Sequence, residues 1–197
     1  WRQNRVDTIR LAVDHILTLF PFEEAFYQEK SVPVTCVGHP LPDEISLVTN
    51  VPAARATLNI DEQAQVLALL PGSRSAEVKL VAPVLFAAAG QLLKDLPELV
   101  FLVPAANKDR MIQLQLLLRL QPQAVQNSVQ LFVEQSHEVM AAADVVVMTS
   151  GTTTLEAMLL KKPMVVVYKM NAVSYSMLSR LLKAPYISLP NLIANSP

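Results

Sequence analysis

Along most of this chain apolar residues fall in short unbroken blocks, and between the blocks they recur at the three-and-four spacing of a helix. The blocks Val66 to Leu70, Leu99 to Val103, Val129 to Val133, Asp144 to Met148 and Met164 to Tyr168 predict strands. Helices are predicted between them at Ala82 to Leu96, Lys108 to Leu120, His137 to Ala143 and Thr152 to Lys161, with a last one from about Val173 to Lys183. Pro83 suits the first turn of its helix, where a missing N–H costs nothing. Strands that read as unbroken apolar runs, instead of alternating ones, are those covered by helices on both faces. The pattern therefore predicts an α/β fold, a Rossmann-like parallel sheet flanked by helices.

Ahead of this alternation the signals are shorter. Val6, Ile9 and Val13 predict a small amphipathic helix from Arg5 to Val13, and HILTLF (His15 to Phe20) predicts a strand. Pro21 opens a second helix, FEEAFYQEK, whose early Glu23 and Glu24 and late Lys30 suit the helix dipole. Pro33 to Val37 is another short strand. After Gly38-His39-Pro40 a connector bearing Pro and Asp runs to about Val51, and periodicity resumes only with a helix from Ala53 to Leu58. The chain is accordingly expected to divide here: residues 1–45 as the remnant of one Rossmann-like α/β domain, and 51–197 as a second.

Composition narrows the functional classes. A hydrophobic content of 52% over 197 residues and a mean hydropathy of +0.34 are those of a globular chain. The longest nearly apolar run, Leu80 to Gly90, is too short to cross a bilayer and contains Pro83. A net charge of -1 without a Lys/Arg cluster exerts no pull on nucleic acid. The single Cys36 excludes an intrachain disulfide and a cysteine-based zinc site, which makes a reducing cytoplasm the default compartment. Because the chain begins with Trp1, it reads as a piece of something longer. Of its 4 glycines no two lie close together, so G-x-G-x-x-G and Walker A are absent, against a dehydrogenase or a P-loop nucleotidase.

Two strand ends carry chemistry. The block ending at Met148 runs into Thr149-Ser150-Gly151-Thr152-Thr153 and then a helix, so N–H groups and hydroxyls converge where an anion, most naturally a phosphate, would sit. Glu156, about a turn and a half further on, is placed to accept hydrogen bonds from a ribose diol. The same residues also describe an ordinary capped helix, with Ser150 or Thr152 as N-cap and Glu156 complementing the dipole. In LALLPGSRSAEVK, Leu67 to Lys79, a buried strand delivers Arg74 to the carboxyl edge of the sheet, where open parallel sheets bind ligands. Arg74 there suits a bidentate clamp on a diphosphate, and the alternative is a solvated local ion pair with Glu77.

Other candidates are weaker. His137-Glu138 begins like a zinc helix, but position 141 is Ala, and no Asp-x-Asp or acidic cluster suggests a metal. Ser150 is not in G-x-S-x-G, so a nucleophile elbow is excluded. Cys36 has no partner histidine, and Met111, Met140, Met158, Met164, Met170 and Met177 read as core filling. His39, in the connector, is kept as a candidate because loops between two domains often line a cleft.

Taken together, LLPGSRSAEV, SGTTTLEAMLLKKPMVVVYKM and YISLPNLIA, with WRQNRV, FPFEEAFY and VGHP near the start, resemble the lipid-A-disaccharide synthases over essentially the whole chain. That family is glycosyltransferase family 19, of the GT-B type with two Rossmann-like domains. The resemblance implies transfer of 2,3-diacylglucosamine from its UDP carrier to 2,3-diacylglucosamine 1-phosphate, giving lipid A disaccharide 1-phosphate and UDP. It makes residues 1–45 the end of the acceptor domain and 51–197 the donor domain. It further implies that Gly72, Ser73, Arg74 and Ser150, Gly151, Thr152 and Thr153 meet the diphosphate. Glu156 would take the ribose, Val133 and Glu134 would offer backbone to the uracil, and Asn191 would close the site. No cofactor and no metal are implied, the partners being the UDP-diacylglucosamine donor, the acylated glucosamine 1-phosphate acceptor and, peripherally, membrane lipid. The expected location is cytoplasmic, at the inner membrane of a Gram-negative bacterium. The general base is expected before Trp1, with His39 the candidate inside the chain. The competing readings are a UDP-N-acetylglucosamine epimerase-like GT-B enzyme and a non-catalytic nucleotide-binding module.

Overall fold

In a computed structural model, which describes residues 5–46, 48–170 and 186–194, the five apolar blocks form one parallel sheet. Its strands are β3 (Val66–Leu70), β4 (Val100–Ala105), β5 (Val129–Val133), β6 (Val145–Thr149) and β7 (Met164–Val167), in the order β5-β4-β3-β6-β7. Leu67 pairs with both Phe101 and Val145, which centres β3 between its neighbours. Each apolar block feeds two cores. Val66, Ala68 and Leu70 of β3 face one layer with Leu102, Val146 and Met148, whereas Leu69 faces the other with Phe101, Val103 and Ala105. That two-sided burial is why the blocks show no alternation in sequence.

The first core is covered by α4 (Val51–Thr57), α8 (Ser136–Ala142) and α9 (Thr153–Leu159). The second lies under α5 (Ser75–Leu92), α6 (Lys108–Arg119) and α7 (Gln123–Ser128). Helix α5 departs from expectation: it starts at Ser75 instead of Ala82 and carries Pro83 in its interior, not its first turn. Glu77 caps its start, and Val78, Val81, Ala82, Leu85, Phe86 and Ala89 recur at helical spacing against the sheet, so burial outweighs the one hydrogen bond that Pro83 cannot make. The apolar run seen from sequence thus belongs to an 18-residue helix, long and apolar enough to cross a membrane, whose buried face packs on the sheet. Strand β4 continues through Pro104, a position beyond Leu102, the last residue of β4 paired with β3, where only β5 lies alongside. The short helix α7 has no counterpart in the expected elements. The expected helix from Val173 to Lys183 lies outside the described residues.

The leading residues form α1 (Arg5–Ala12), β1 (Ile16–Thr18), α2 (Pro21–Glu29), β2 (Val34–Cys36) and α3 (Leu41–Glu44), with β1 and β2 in a separate two-stranded parallel sheet. Leu11, Leu17 and Val37 are exposed there. A pocket of about 140 Å³ joins this part to α9, lined by Leu19, Phe20, His39, Leu41 and Pro42 on one side and Leu155, Met158 and Leu159 on the other. His39 Nδ1 accepts a hydrogen bond from the Leu41 N–H at 3.2 Å, and its ring lies 5.7 Å from that of Phe20.

Candidate functional site

Beyond β3 the chain crosses over to β4 and β5 on one side, then returns to build β6 and β7 on the other. The loops after β3 and β6 therefore part from each other at the carboxyl edge and leave a crevice, the topological switch point of an open parallel sheet. A cavity of about 640 Å³ occupies it, a volume within the range of small-molecule sites. It is lined by Leu70 to Arg74 and Glu77, Pro104 to Ala106, Glu134 and Ser136, and Met148 to Thr153.

The β3 side is a folded turn. Gly72 has φ +102, and a Cβ there would lie 2.7 Å from Glu77 Oε2, so both the conformation and the space require glycine. Glu77 reaches back to accept a hydrogen bond from the Arg74 N–H at 3.2 Å, and its other oxygen pairs with Arg74 Nη1 at 2.7 Å. The Arg74 side chain remains 83% exposed. Gln113 Nε2 donates to the Ser75 carbonyl at 2.9 Å and ties the start of α5 to α6.

On the β6 side the three threonines do not share one task. Thr154 Oγ1 donates to the Gly151 carbonyl at 2.7 Å, while Ser150 Oγ donates to the carbonyl of Ile187. Thr152 holds the N-cap position of α9, but no side-chain cap bond is formed. The capping arrangement anticipated for Ser150 or Thr152 is thus replaced by these two bonds. Gly151 and Thr152 are exposed to the cavity, and a Cβ at Gly151 would meet nothing within 4 Å.

The structure gathers Gly72, Ser73, Arg74, Glu134, Ser150, Gly151, Thr152 and Thr153 around one space, and leaves Val133, Glu156, Asn191 and His39 out of its lining. Glu134 has φ +57, and its N–H donates to the Ala105 carbonyl at 2.8 Å, which turns the chain toward the cavity just beyond Val133. Glu156 is half-buried on α9. Burial pushes its carboxyl pKa up, and the positive charge of His137 at the start of α8 pulls it the other way. Asn191 belongs to the short helix Leu189–Ala194, where its Oδ1 accepts from Ser188 Oγ, next to the residue that holds Ser150. His39 sits in the apolar pocket already described. Ser136 and the Pro104 to Ala106 segment were not anticipated. Their signal was positional, since each lies at or just beyond the carboxyl end of a strand, at the edge that carries the two motifs. Among the described residues no group of three or more His, Cys, Asp or Glu side chains could hold a metal ion.

The fold is shared with solved glycosyltransferases of the GT-B type and with a solved UDP-GlcNAc 2-epimerase. The chain is similar to the pneumococcal O-GlcNAc transferase GtfA, whose structure contains UDP and GlcNAc, with a TM-score of 0.55 and 16% identity over 87% of this chain and 34% of that one. It is also similar to the UDP-GlcNAc 2-epimerase of Neisseria meningitidis bound to UDP-GlcNAc, with a TM-score of 0.54 and 17% identity over 87% and 49%. Sequence relatives are much nearer: the lipid-A-disaccharide synthase of Alcanivorax borkumensis is 50% identical over 98% of this chain and 50% of its own length. That of Hahella chejuensis is 48% identical over 99% and 49%. The chain spans about half the length of these relatives. The family model described as lipid-A-disaccharide synthetase matches residues 1–197, and the chain belongs to that family.

Proposed function

We propose that residues 51–197 are the nucleotide-sugar-binding domain of a glycosyltransferase, and that residues 1–45 belong to its acceptor domain. The reaction is transfer of 2,3-diacylglucosamine from UDP to 2,3-diacylglucosamine 1-phosphate, with release of UDP. The observation that carries this reading is the convergence of Gly72 to Arg74 with Ser150 to Thr153 on one cavity at the switch point. Membership of the lipid-A-disaccharide synthase family supports this choice of substrates. Because the chain spans about half the length of these relatives, the complete activity is proposed for a protein of their full length.

In this reading the diphosphate lies between the two loops, where Arg74, the N–H groups of Ser150 to Thr153 and the hydroxyls of Thr152 and Thr153 take up the charge that grows on departing UDP. The backbone at Val133 and Glu134 faces the uracil, Glu156 accepts from the ribose hydroxyls, and Asn191 closes the site from the Leu189–Ala194 helix. Direct displacement with inversion requires base, acceptor hydroxyl and diphosphate in line. The acyl chains of both substrates imply peripheral contact with the cytoplasmic face of the inner membrane. No cofactor or metal enters the scheme.

Calorimetric titration of the folded chain with UDP tests it. Saturable binding of UDP, with uridine binding far more weakly, is expected, and a folded chain that ignores UDP would overturn the assignment.

A further inference from the structure

Glu77 presents a puzzle that the proposed site does not use. It is a carboxylate on the wall of a cavity read as an anion site, and the one cation on that wall among the described residues, Arg74, is already bound to it at 2.7 Å. The carboxylate is held in place, since one oxygen accepts from the Arg74 N–H and its side chain fills the space that a Cβ on Gly72 would need. The guanidinium is not held in the same way. The Arg74 side chain is 83% exposed, against 30% for that of Glu77, and the pair is of the surface kind that contributes little. We propose that Glu77 is a built-in competitor for Arg74: it holds the guanidinium while the cavity is empty, and an arriving diphosphate must displace it.

Competition for one guanidinium decides the direction of the effect. An arriving diphosphate gains its contact with Arg74 only after the Glu77 bond to Nη1 is broken, so what that bond contributes is subtracted from the affinity. The carboxylate therefore weakens diphosphate binding and hastens release of the diphosphate-bearing product. Glu77 is a positioning residue in this scheme, acting on the ligand through Arg74. The proposal rests on the donor-site reading only in taking a diphosphate as the ligand, and inorganic pyrophosphate, which has no nucleoside, separates the two.

The test compares the parent chain, Glu77→Gln, Arg74→Ala and the double variant by calorimetry with pyrophosphate and with UDP. Glutamine keeps an oxygen for the Arg74 N–H, so the turn stays capped and thermal unfolding should match the parent. Glu77→Gln is expected to bind both probes roughly two- to fivefold more tightly, and the gain should shrink with added salt. The gain should also vanish when Arg74 is Ala. Equal or weaker binding by Glu77→Gln would overturn the proposal, as would a gain that persists without Arg74, which would be plain repulsion. Pyrophosphate binding with these differences, but no UDP binding, would sustain the competition and remove the nucleotide reading. A parent chain that binds neither probe would end both.

Discussion

Two arginines mark opposite ends of the same sheet, and each has a carboxylate partner. At the amino edge Arg55 is 5% exposed: Nε donates to the Ala142 carbonyl at 3.0 Å, Nη1 to the Glu62 carbonyl, and Nη2 meets Asp144 Oδ1 at 3.0 Å. Asp144 also accepts from the Val66 N–H at 2.8 Å, so the pair joins α4, the end of α8 and the starts of β3 and β6. At the carboxyl edge Arg74 has Glu77 as its charged partner and most of its surface in water. A guanidinium whose donors are spent on buried carbonyls is a structural tie, whereas one left exposed with donors to spare is available for an incoming anion. Placement on the sheet agrees with this division, because ligands bind at the carboxyl edge.

The sharpest way to break the comparison is to remove the buried arginine. Arg55→Ala should destabilise folding by about 3 kcal/mol, since it empties a buried site and leaves the Ala142 and Glu62 carbonyls without their donor, whereas the exposed Asp144 keeps water and the Val66 N–H. Urea denaturation measures this, and the UDP affinity of the remaining folded fraction should equal the parent's. Glu156→Gln should do the reverse. Loss of charge-assisted hydrogen bonds to ribose weakens UDP binding by about 1.5 to 3 kcal/mol, while folding survives. Its pH dependence has a definite sign: burial raises the Glu156 pKa above the ordinary 4.5, so the native state holds the proton more tightly than the unfolded chain. The parent therefore loses stability relative to the glutamine variant as pH rises from that value through the raised one, and unfolding curves across the acid range would show it. Equal UDP affinity would return Glu156 to a structural role. Arg74→Ala should cost about 1 to 2 kcal/mol of UDP binding and less than about 0.5 kcal/mol of stability.

How much of this was legible in the sequence depended on the range over which each residue acts. Val66 to Leu70 and Val129 to Val133 match their observed strands because a block with apolar packing on both faces leaves a local mark, even where, as in the edge strand β5, the burial is partial. Gly72, Arg74 and Ser150 to Thr153 were legible as two strand ends, and only the crossover between β3 and β6 brings them to one cavity. The start of α5 was misplaced because Pro83 is a strong local signal for a first turn, and the packing that overrides it comes from the sheet. Arg55 left no trace, since its partner is 89 residues away and nothing in AARAT distinguishes a tie from a solvated arginine. The coupling of Glu156 to His137 was hidden for the same reason, as α8 and α9 meet only through the fold.

The smallest effect concerns the two glycines of the cavity, which the structure treats unequally. Gly72 is required by its positive φ and by Glu77, so any side chain there would disturb the turn whether or not a ligand binds. Gly151 has open space where a Cβ would go and lies on the cavity wall, so alanine should fit the folded chain at no cost beyond a few tenths of a kcal/mol. What alanine would occupy is the space in which a diphosphate approaches the backbone of residues 150–153. Gly151→Ala should therefore leave thermal unfolding unchanged and weaken UDP roughly threefold, an effect of about 0.6 kcal/mol. Unchanged affinity would mean that the anion stands off from this loop, leaving Arg74 and the β3 turn to hold it, and the two-loop clamp would have to be redrawn as a one-sided site.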